Sequence, residues 1–249
     1  MDHRKEVQAY WDQRSHGFSD AINEEADSEL GEAWRERFRS LLGDAPLDVL
    51  DDGAGAGFFS MLLASLGHRV TSIDYSEKMV ERLRENMAAR SLTGKALQMD
   101  AQDLQFPGGS FDAVVQRNVL WNLDDPAKAY GEMHRVLRPG GLLIVDDGNH
   151  YLASHDEEYA AENERLRRQR QAEAAERPAM PGDHTAHNPE QVDFTVIERI
   201  AVEQPLSHVR RPQWDLDQLI RLGFYDIQVH IDGEKLPRHY LISARKRAK

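Results

Sequence analysis

From residue 47 to residue 147, short apolar runs alternate with stretches whose apolar positions recur every three or four residues. The runs predict strands at 47–51, 69–73, 95–99, 112–116 and 141–146, and the stretches predict helices at 57–66, 76–90 and 126–137. Ser76 is placed as an N-cap, with Met79, Val80, Leu83 and Met87 as the buried stripe. Asp125 caps the next helix ahead of Pro126, and Pro139-Gly140-Gly141 ends it and turns into a strand. Strand and helix alternating at this length predict an α/β, doubly wound, mostly parallel sheet with helices on both faces.

The flanks read differently. Residues 1–43 predict a polar helical segment whose large apolar groups are Tyr10, Trp11 and Phe18. The acidic stretch Asp20 to Glu29 predicts a loop; Trp34, Phe38, Leu41 and Leu42 then share one helical face, closed by Gly43. Asp156 to Arg177 predicts a long exposed helix with i,i+4 Glu–Arg pairs, followed by a loop marked by Pro178, Pro181, Gly182 and Pro189. A helix starting at Asn188, Pro189 and Gln191 has Val192, Val196 and Ile200 on one face; the alternation of 192, 194 and 196 also fits a strand. Asp215 and Gln218 bracket another helix start, with Leu216, Leu219, Ile220 and Leu222 as its stripe and Gly223 at its end. Two last strands, Tyr225–Ile231 and Arg238–Ala244, are joined through Asp232-Gly233 as an antiparallel pair at the sheet edge, for seven strands in all. The organisation expected is a helical lid at 1–43, an α/β core at 44–150, a helical cap insertion at 151–205 and a return to the core at 206–249.

The chain has 249 residues, 40% hydrophobic and 30% charged, with a formal charge of −12 and no cysteine. The length suffices for a full core. The missing cysteines exclude disulfides, zinc–thiolate sites, iron–sulfur clusters and a cysteine nucleophile. No apolar run approaches the ~18 residues of a membrane span, and the first twenty residues carry charges throughout, which predicts a cytoplasmic protein. The acidic balance argues against a nucleic-acid partner. The basic clusters at Arg165, Arg167, Arg168 and Arg170 and at Arg245, Lys246, Arg247 and Lys249 read as solvated faces.

The chemistry concentrates after the first core strand. Gly53, Gly55 and Gly57 let the backbone bend sharply and leave no Cβ to hold a ligand away. The following helix turns its free N–H groups toward that turn. Asp74 ends the neighbouring strand, where a carboxylate can accept both hydroxyls of a ribose.

Four segments in order carry a resemblance: Val49-Leu50-Asp51-Asp52-Gly53-Ala54-Gly55-Ala56-Gly57, then Val70 to Met79, Met99 to Val115 and Val136 to Val145. Over about 100 residues the chain resembles the class I S-adenosylmethionine-dependent methyltransferases that act on small molecules, and the Tyr10-Trp11-Asp12 stretch is similar to their lid helix. Asp52 departs from the apolar residue usual at that position. The resemblance implies a Rossmann-like methyltransferase fold with S-adenosyl-L-methionine as cofactor and S-adenosyl-L-homocysteine as product. It implies that Asp51 and the backbone of Gly53, Ala54, Gly55 and Gly57 hold the methionine part and ribose, and that Asp74 takes the ribose hydroxyls. Tyr75 or Met79 would lie against adenine, Asp100 and the backbone of Ala101 would meet its edge, and Arg117 and Asn118 would lie under the methionine tail.

Methyl transfer is an in-line attack on an already activated carbon, so alignment and desolvation are the protein's main tasks. A base serves only an acceptor that arrives protonated; His150, Tyr151 and His16 are the candidates. Tyr10, Trp11, Phe18 and Trp121 are candidates for the acceptor pocket. His184 and His187 near Asp183 lie in a Pro/Gly loop with no helix to align their rings, and Asp146, Asp147 and Asn149 only loosely resemble the ligands of catechol-type methyltransferases, whose partner carboxylate is missing at Gln116-Arg117-Asn118, so no metal is expected. A nicotinamide-dependent oxidoreductase is disfavoured because GxGxxG is absent; a catalytically silent cofactor-binding or scaffold protein is the remaining alternative. The expected partner is a small-molecule methyl acceptor, and the expected state a monomer or homodimer.

Overall fold

The computed structural model describes residues 3–173, 189, 191–232 and 235–248. Its centre is one seven-stranded sheet of β1 (Asp48–Asp52), β2 (Arg69–Asp74), β3 (Lys95–Gln98), β4 (Phe111–Arg117), β5 (Leu137–Gly148), β6 (Phe224–Asp232) and β7 (His239–Lys246). The spatial order is β3-β2-β1-β4-β5-β7-β6. The first five strands are parallel, and β7 runs antiparallel between β5 and β6. The order reverses between β1 and β4, which opens a crevice above their carboxyl ends.

Successive side chains of a strand face opposite ways, so Val49 and Leu50 of β1 enter two different cores. On the Val49 side lie α1 (His3–Ala26), α2 (Glu29–Leu42), α3 (Phe58–Ser65) and α4 (Glu77–Ala89), with Trp34, Phe38 and Phe59 in mutual contact at 4.6 to 5.4 Å. On the Leu50 side lie α5 (Pro126–Val136) and α8 (Gln213–Arg221), closed by Tyr130, Met133 and Leu219. The expected caps are in place: Ser76 accepts from the Met79 N–H and Asp125 from the Lys128 N–H.

Several boundaries differ from the sequence reading, each for a tertiary reason. The acidic stretch after Asp20 is helix as far as Ala26, because Ala21, Ile22 and Ala26 are buried and Glu25 and Asp27 meet Arg117 and Arg90. β5 begins at Leu137 rather than 141; a register shift between Phe111 and Ala113 of β4 absorbs the Pro139-Gly140-Gly141 segment into the strand. α7 (Thr195–Glu203) starts later than expected, where Asp193 accepts from the Thr195 N–H and hydroxyl, and Val192 precedes it outside any strand. α8 starts after Pro212, leaving Asp215 inside the helix as a buried ion-pair partner; Ile220 of the expected stripe faces solvent. α6 (Glu157–Glu173) is the predicted polar helix, with Arg167 and Arg168 both on Glu164. The expected cap Asn188, the loop at Pro178 to Gly182, and Asp183, His184 and His187 lie outside the described residues. Among the described residues no helix is long and apolar enough to cross a membrane.

Candidate active site

Above the carboxyl ends of β1, β2, β4 and β5 is a cavity of about 480 Å³, within the ~300–1,000 Å³ usual for small-molecule sites. Its floor is the glycine turn. Gly53, Gly55 and Gly57 have φ of 75°, 53° and 100°, a region closed to most L side chains. A Cβ on Gly53 would come within 2.4 Å of Val119, and one on Gly55 within 3.1 Å of Phe18. The turn is also pinned from the side: Asp74 accepts from the Gly55 N–H at 2.8 Å and from the Ser76 N–H at 2.8 Å.

The carboxylates around this floor are held out of water. Burial pushes Asp51 up to about 7, although the Ser60 hydroxyl donates to it at 2.5 Å. Burial likewise pushes Asp74 up to about 6, against the opposing pull of the Ser76 and Gly55 N–H groups. Asp52 points to the other side of the sheet, fully buried, with only the Gln116 amide donating to it at 3.0 Å. Burial raises it far above the ordinary carboxylate range, which keeps it a neutral acid. The departure at position 52 is therefore buried beside the cavity floor rather than part of the cavity lining.

α1 is the roof. Arg4, Val7, Trp11, Phe18 and Ile22 all line the cavity from this one helix. Polar contacts fasten the roof along its length. Arg4 reaches Asp124 at 2.9 Å and Asp100 at 3.1 Å, Asp12 accepts from the Ser76 hydroxyl at 2.5 Å, and Asn23 donates to Asn86 at 2.9 Å. At its far end Glu25 accepts from both terminal nitrogens of Arg117, whose guanidinium lies 4.2 Å from the centre of the Phe58 ring.

The remaining wall is aromatic. Trp121 sits 5.3 Å from Tyr151, 5.6 Å from His150 and 6.5 Å from Trp11, centroid to centroid, and Trp11 sits 5.5 Å from Phe18. Asn118, in the left-handed region at φ 54°, organises this wall. Its carbonyl accepts from the Trp121 indole N–H at 2.9 Å and its side-chain oxygen lies 3.2 Å from His150 Nε2. Behind His150, Asp147 is 3.1 Å from Nε2 and forms a 3.0 Å ion pair with Arg211, which in turn grips Asp215. Asn149 accepts from the Arg211 N–H at 3.0 Å and donates to its carbonyl at 2.8 Å, so the end of β5 and the chain at 211 are clasped together.

Most of the sequence-predicted site residues meet here: Asp51, Gly53, Ala54, Gly55, Asp74, Tyr75, Met79, Asp100, Ala101, Arg117 and Asn118 around the floor, and Trp11, Phe18, Trp121, His150 and Tyr151 in the roof and wall. Gly57 does not line the cavity; it precedes α3, where Leu83 fills the space a Cβ would need. Tyr10 faces away, packed on Val192 and Ile197, with its hydroxyl pushed up to about 12 by burial. His16 is on the exposed side of α1, 3.5 Å from Asp20, and does not line the cavity. Tyr151 is in the wall, and burial pushes its hydroxyl up to about 12. Asp146, Asp147 and Asn149 each turn to protein partners: His239 and Arg117, then Arg211, then the backbone of 211 and 237. Sequence reasoning missed Arg4, Val7 and Ile22 of the roof; with Trp11 and Phe18 they fall at helical spacing, a signal hidden by the low overall hydrophobicity of α1.

Known proteins point to the same class. Residues 50–145 match the family described as a methyltransferase domain. A demethylmenaquinone methyltransferase of Thermus thermophilus is 39% identical over 115 residues, 45% of this chain and 52% of that protein. A 2-methyl-6-phytyl-1,4-hydroquinone methyltransferase of Synechocystis is 40% identical over 102 residues, 41% of this chain and 32% of that protein. The chain thus spans about half the length, or less, of these curated relatives. Among solved structures, a SAM-dependent methyltransferase from Aquifex aeolicus superposes with a TM-score of 0.51 at 20% identity, covering 85% of this chain and 88% of that one. Residues 50–145 thus match a methyltransferase domain, and the solved structure shares the fold of the whole sheet.

Proposed function

We propose that the chain is an S-adenosylmethionine-dependent methyltransferase acting on a small-molecule acceptor. The observation that carries this reading is the glycine cradle beside Asp74, next to the switch point of the sheet. A Cβ would fill the cradle, and Asp74, although bonded to two N–H groups, keeps lone pairs for further donors. Those residues fit the cofactor's ribose, and Asp51 with the turn backbone fits its amino-acid end. Asp100 and Ala101 fit the adenine edge, with Tyr75 and Met79 against the ring face. When bound, the cofactor supplies an activated methyl carbon.

The chain's own residues then orient and desolvate. Trp11, Phe18, Trp121 and Tyr151 form an apolar compartment beside the cradle that suits the acceptor. We assign the lid to 1–43 and the cap to 151–205; α7 supports this by packing Ile197 and Val192 on Tyr10 of α1. A chain charge of −12 favours a small acceptor over nucleic acid.

The test is calorimetric titration with S-adenosylmethionine, S-adenosylhomocysteine and NAD, beside Asp74→Ala. Binding of the first two, lost in the variant, is the expected result. Binding of NAD alone points to an oxidoreductase, and binding of S-adenosylmethionine without turnover of any acceptor to a silent scaffold.

A further inference from the structure

We infer that His150 is the general base of the reaction, held in one tautomer by Asp147, and that the acceptor carries a hydroxyl on an aromatic ring. The inference rests on the methyltransferase reading and specifies the acceptor end of the same cavity.

Three observations place His150 in this role. First, its Nε2 lies 3.1 Å from Asp147 Oδ1 and 3.2 Å from Asn118 Oδ1, two oxygens that can only accept. The ring proton is therefore on Nε2, and the lone pair is on Nδ1, which no described residue bonds. Second, the Asp147 carboxylate is fixed from behind. Arg211, itself buried, pairs with it at 3.0 Å and with Asp215 at 2.6 Å, while the Gly148 N–H donates to Asp147 at 2.7 Å. A buried carboxylate so paired stays ionised: the Arg211 charge and His150 hold Asp147 down at about 2. It can thus stabilise the imidazolium that forms when His150 takes a proton, without becoming protonated itself. Third, the ring stands in a wall of flat groups, 5.6 Å from Trp121, which is itself 5.3 Å from Tyr151. A planar acceptor laid against this wall, on its cavity side, can present an edge hydroxyl to His150, and offset stacking is the preferred geometry of such rings.

The step balances within the residues named. The acceptor oxygen forms a bond to the transferred methyl carbon while its proton passes to His150 Nδ1. The carbon–sulfur bond breaks with its electron pair kept by sulfur, which loses its positive charge. The positive charge ends on the imidazolium, facing Asp147. The ionisable groups around it are Asp147 and Arg211 behind, Tyr151 beside, and Asp146 and His239 on the adjoining strands. Burial and the His150 charge depress His239 to about 4, so it stays neutral when His150 is charged. Asp147 acts through His150 and is a positioning residue.

The test reads proton transfer directly, with S-adenosylhomocysteine bound and no turnover. 4-Nitrophenol is titrated into the full chain with saturating S-adenosylhomocysteine, at a pH where free nitrophenol is mostly neutral, and the nitrophenolate absorbance is recorded. The bound probe is expected to be mostly ionised in the wild type and to lose that excess ionisation about tenfold or more in His150→Gln. Asp147→Asn is expected to reduce it as well, while both variants keep their affinity for S-adenosylhomocysteine, which a merely structural role for Asp147 would not spare. If Asp147→Asn does not fold, His150→Gln decides alone. The assignment is overturned if the bound probe stays neutral in the wild type, ionises equally in His150→Gln, or does not bind although S-adenosylhomocysteine does. Failure to bind S-adenosylhomocysteine overturns the cofactor reading first, and this assignment with it.

Discussion

Glu25 of α1 and Arg117 at the end of β4 form a bidentate ion pair, 2.6 and 2.8 Å, across 92 positions of sequence. Both side chains are largely buried, at 6% and 18% exposure. The pair ties the roof of the cavity to the strand at its centre. Removing one partner of a buried pair strands the other charge, at a cost of ~3–5 kcal/mol. Glu25→Ala is therefore expected to lower the urea-unfolding free energy by about 3 kcal/mol and to expose α1 to proteolysis before the rest of the chain. A midpoint unchanged from wild type would show that the roof is not held there.

Asp74→Asn keeps the size of the side chain and removes its charge. Hydrogen bonds to charged groups contribute ~1.5–3 kcal/mol, so S-adenosylhomocysteine affinity is expected to fall about ten- to a hundredfold. Calorimetry measures the loss, and circular dichroism confirms that the fold remains.

The glycine turn offers a separate test. Gly53→Ala adds a methyl group 2.4 Å from Val119 at a residue with φ 75°. Both the strain and the clash act, so a loss of roughly 1–3 kcal/mol is expected, together with weaker cofactor binding. Paired Gly53→Ala and Val119→Ala substitutions are expected to recover the part due to the clash, which a double-mutant cycle measures.

The buried acids make stability depend on pH. Burial raises Asp51 to about 7 from 3.8 and also raises Asp52 well above the ordinary carboxylate range. The folded chain thus binds more protons than the unfolded chain, and stability present below about pH 4 is lost as pH rises through 7. Asp147, depressed to about 2, acts in the opposite sense, its stabilisation being lost only on strong acidification. Asp52→Asn keeps an acceptor for the Gln116 amide and cannot ionise. The excess of its urea midpoint over wild type is expected to grow from pH 5 to pH 8.

The core was legible in the sequence because its signals are local. The Ser76 and Asp125 caps, the glycine turn and the strand–helix alternation depend on neighbours along the chain, and Asp51, Asp74 and Asp100 fall at the ends of strands that the alternation locates. What escaped depends on partners far away. Glu25 reads as part of an acidic loop until Arg117 neutralises it, and Asp215 reads as a cap until Arg211, Tyr130 and Tyr240 claim its oxygens. His150 could be nominated from its place after a strand, but its link to Asp147 and Arg211 spans 61 positions between His150 and Arg211 and is visible only in three dimensions.

The clasp between Asn149 and Arg211 has a consequence for how such a chain can change. The backbone leaves the core at 150 and comes back within one hydrogen bond of where it left, so everything between forms a closed excursion. Lengthening a loop whose ends are already joined adds little closure entropy, about 0.6 kcal/mol per doubling. The stretch between the two clasped residues can therefore vary in length at little cost to the sheet that it leaves and rejoins.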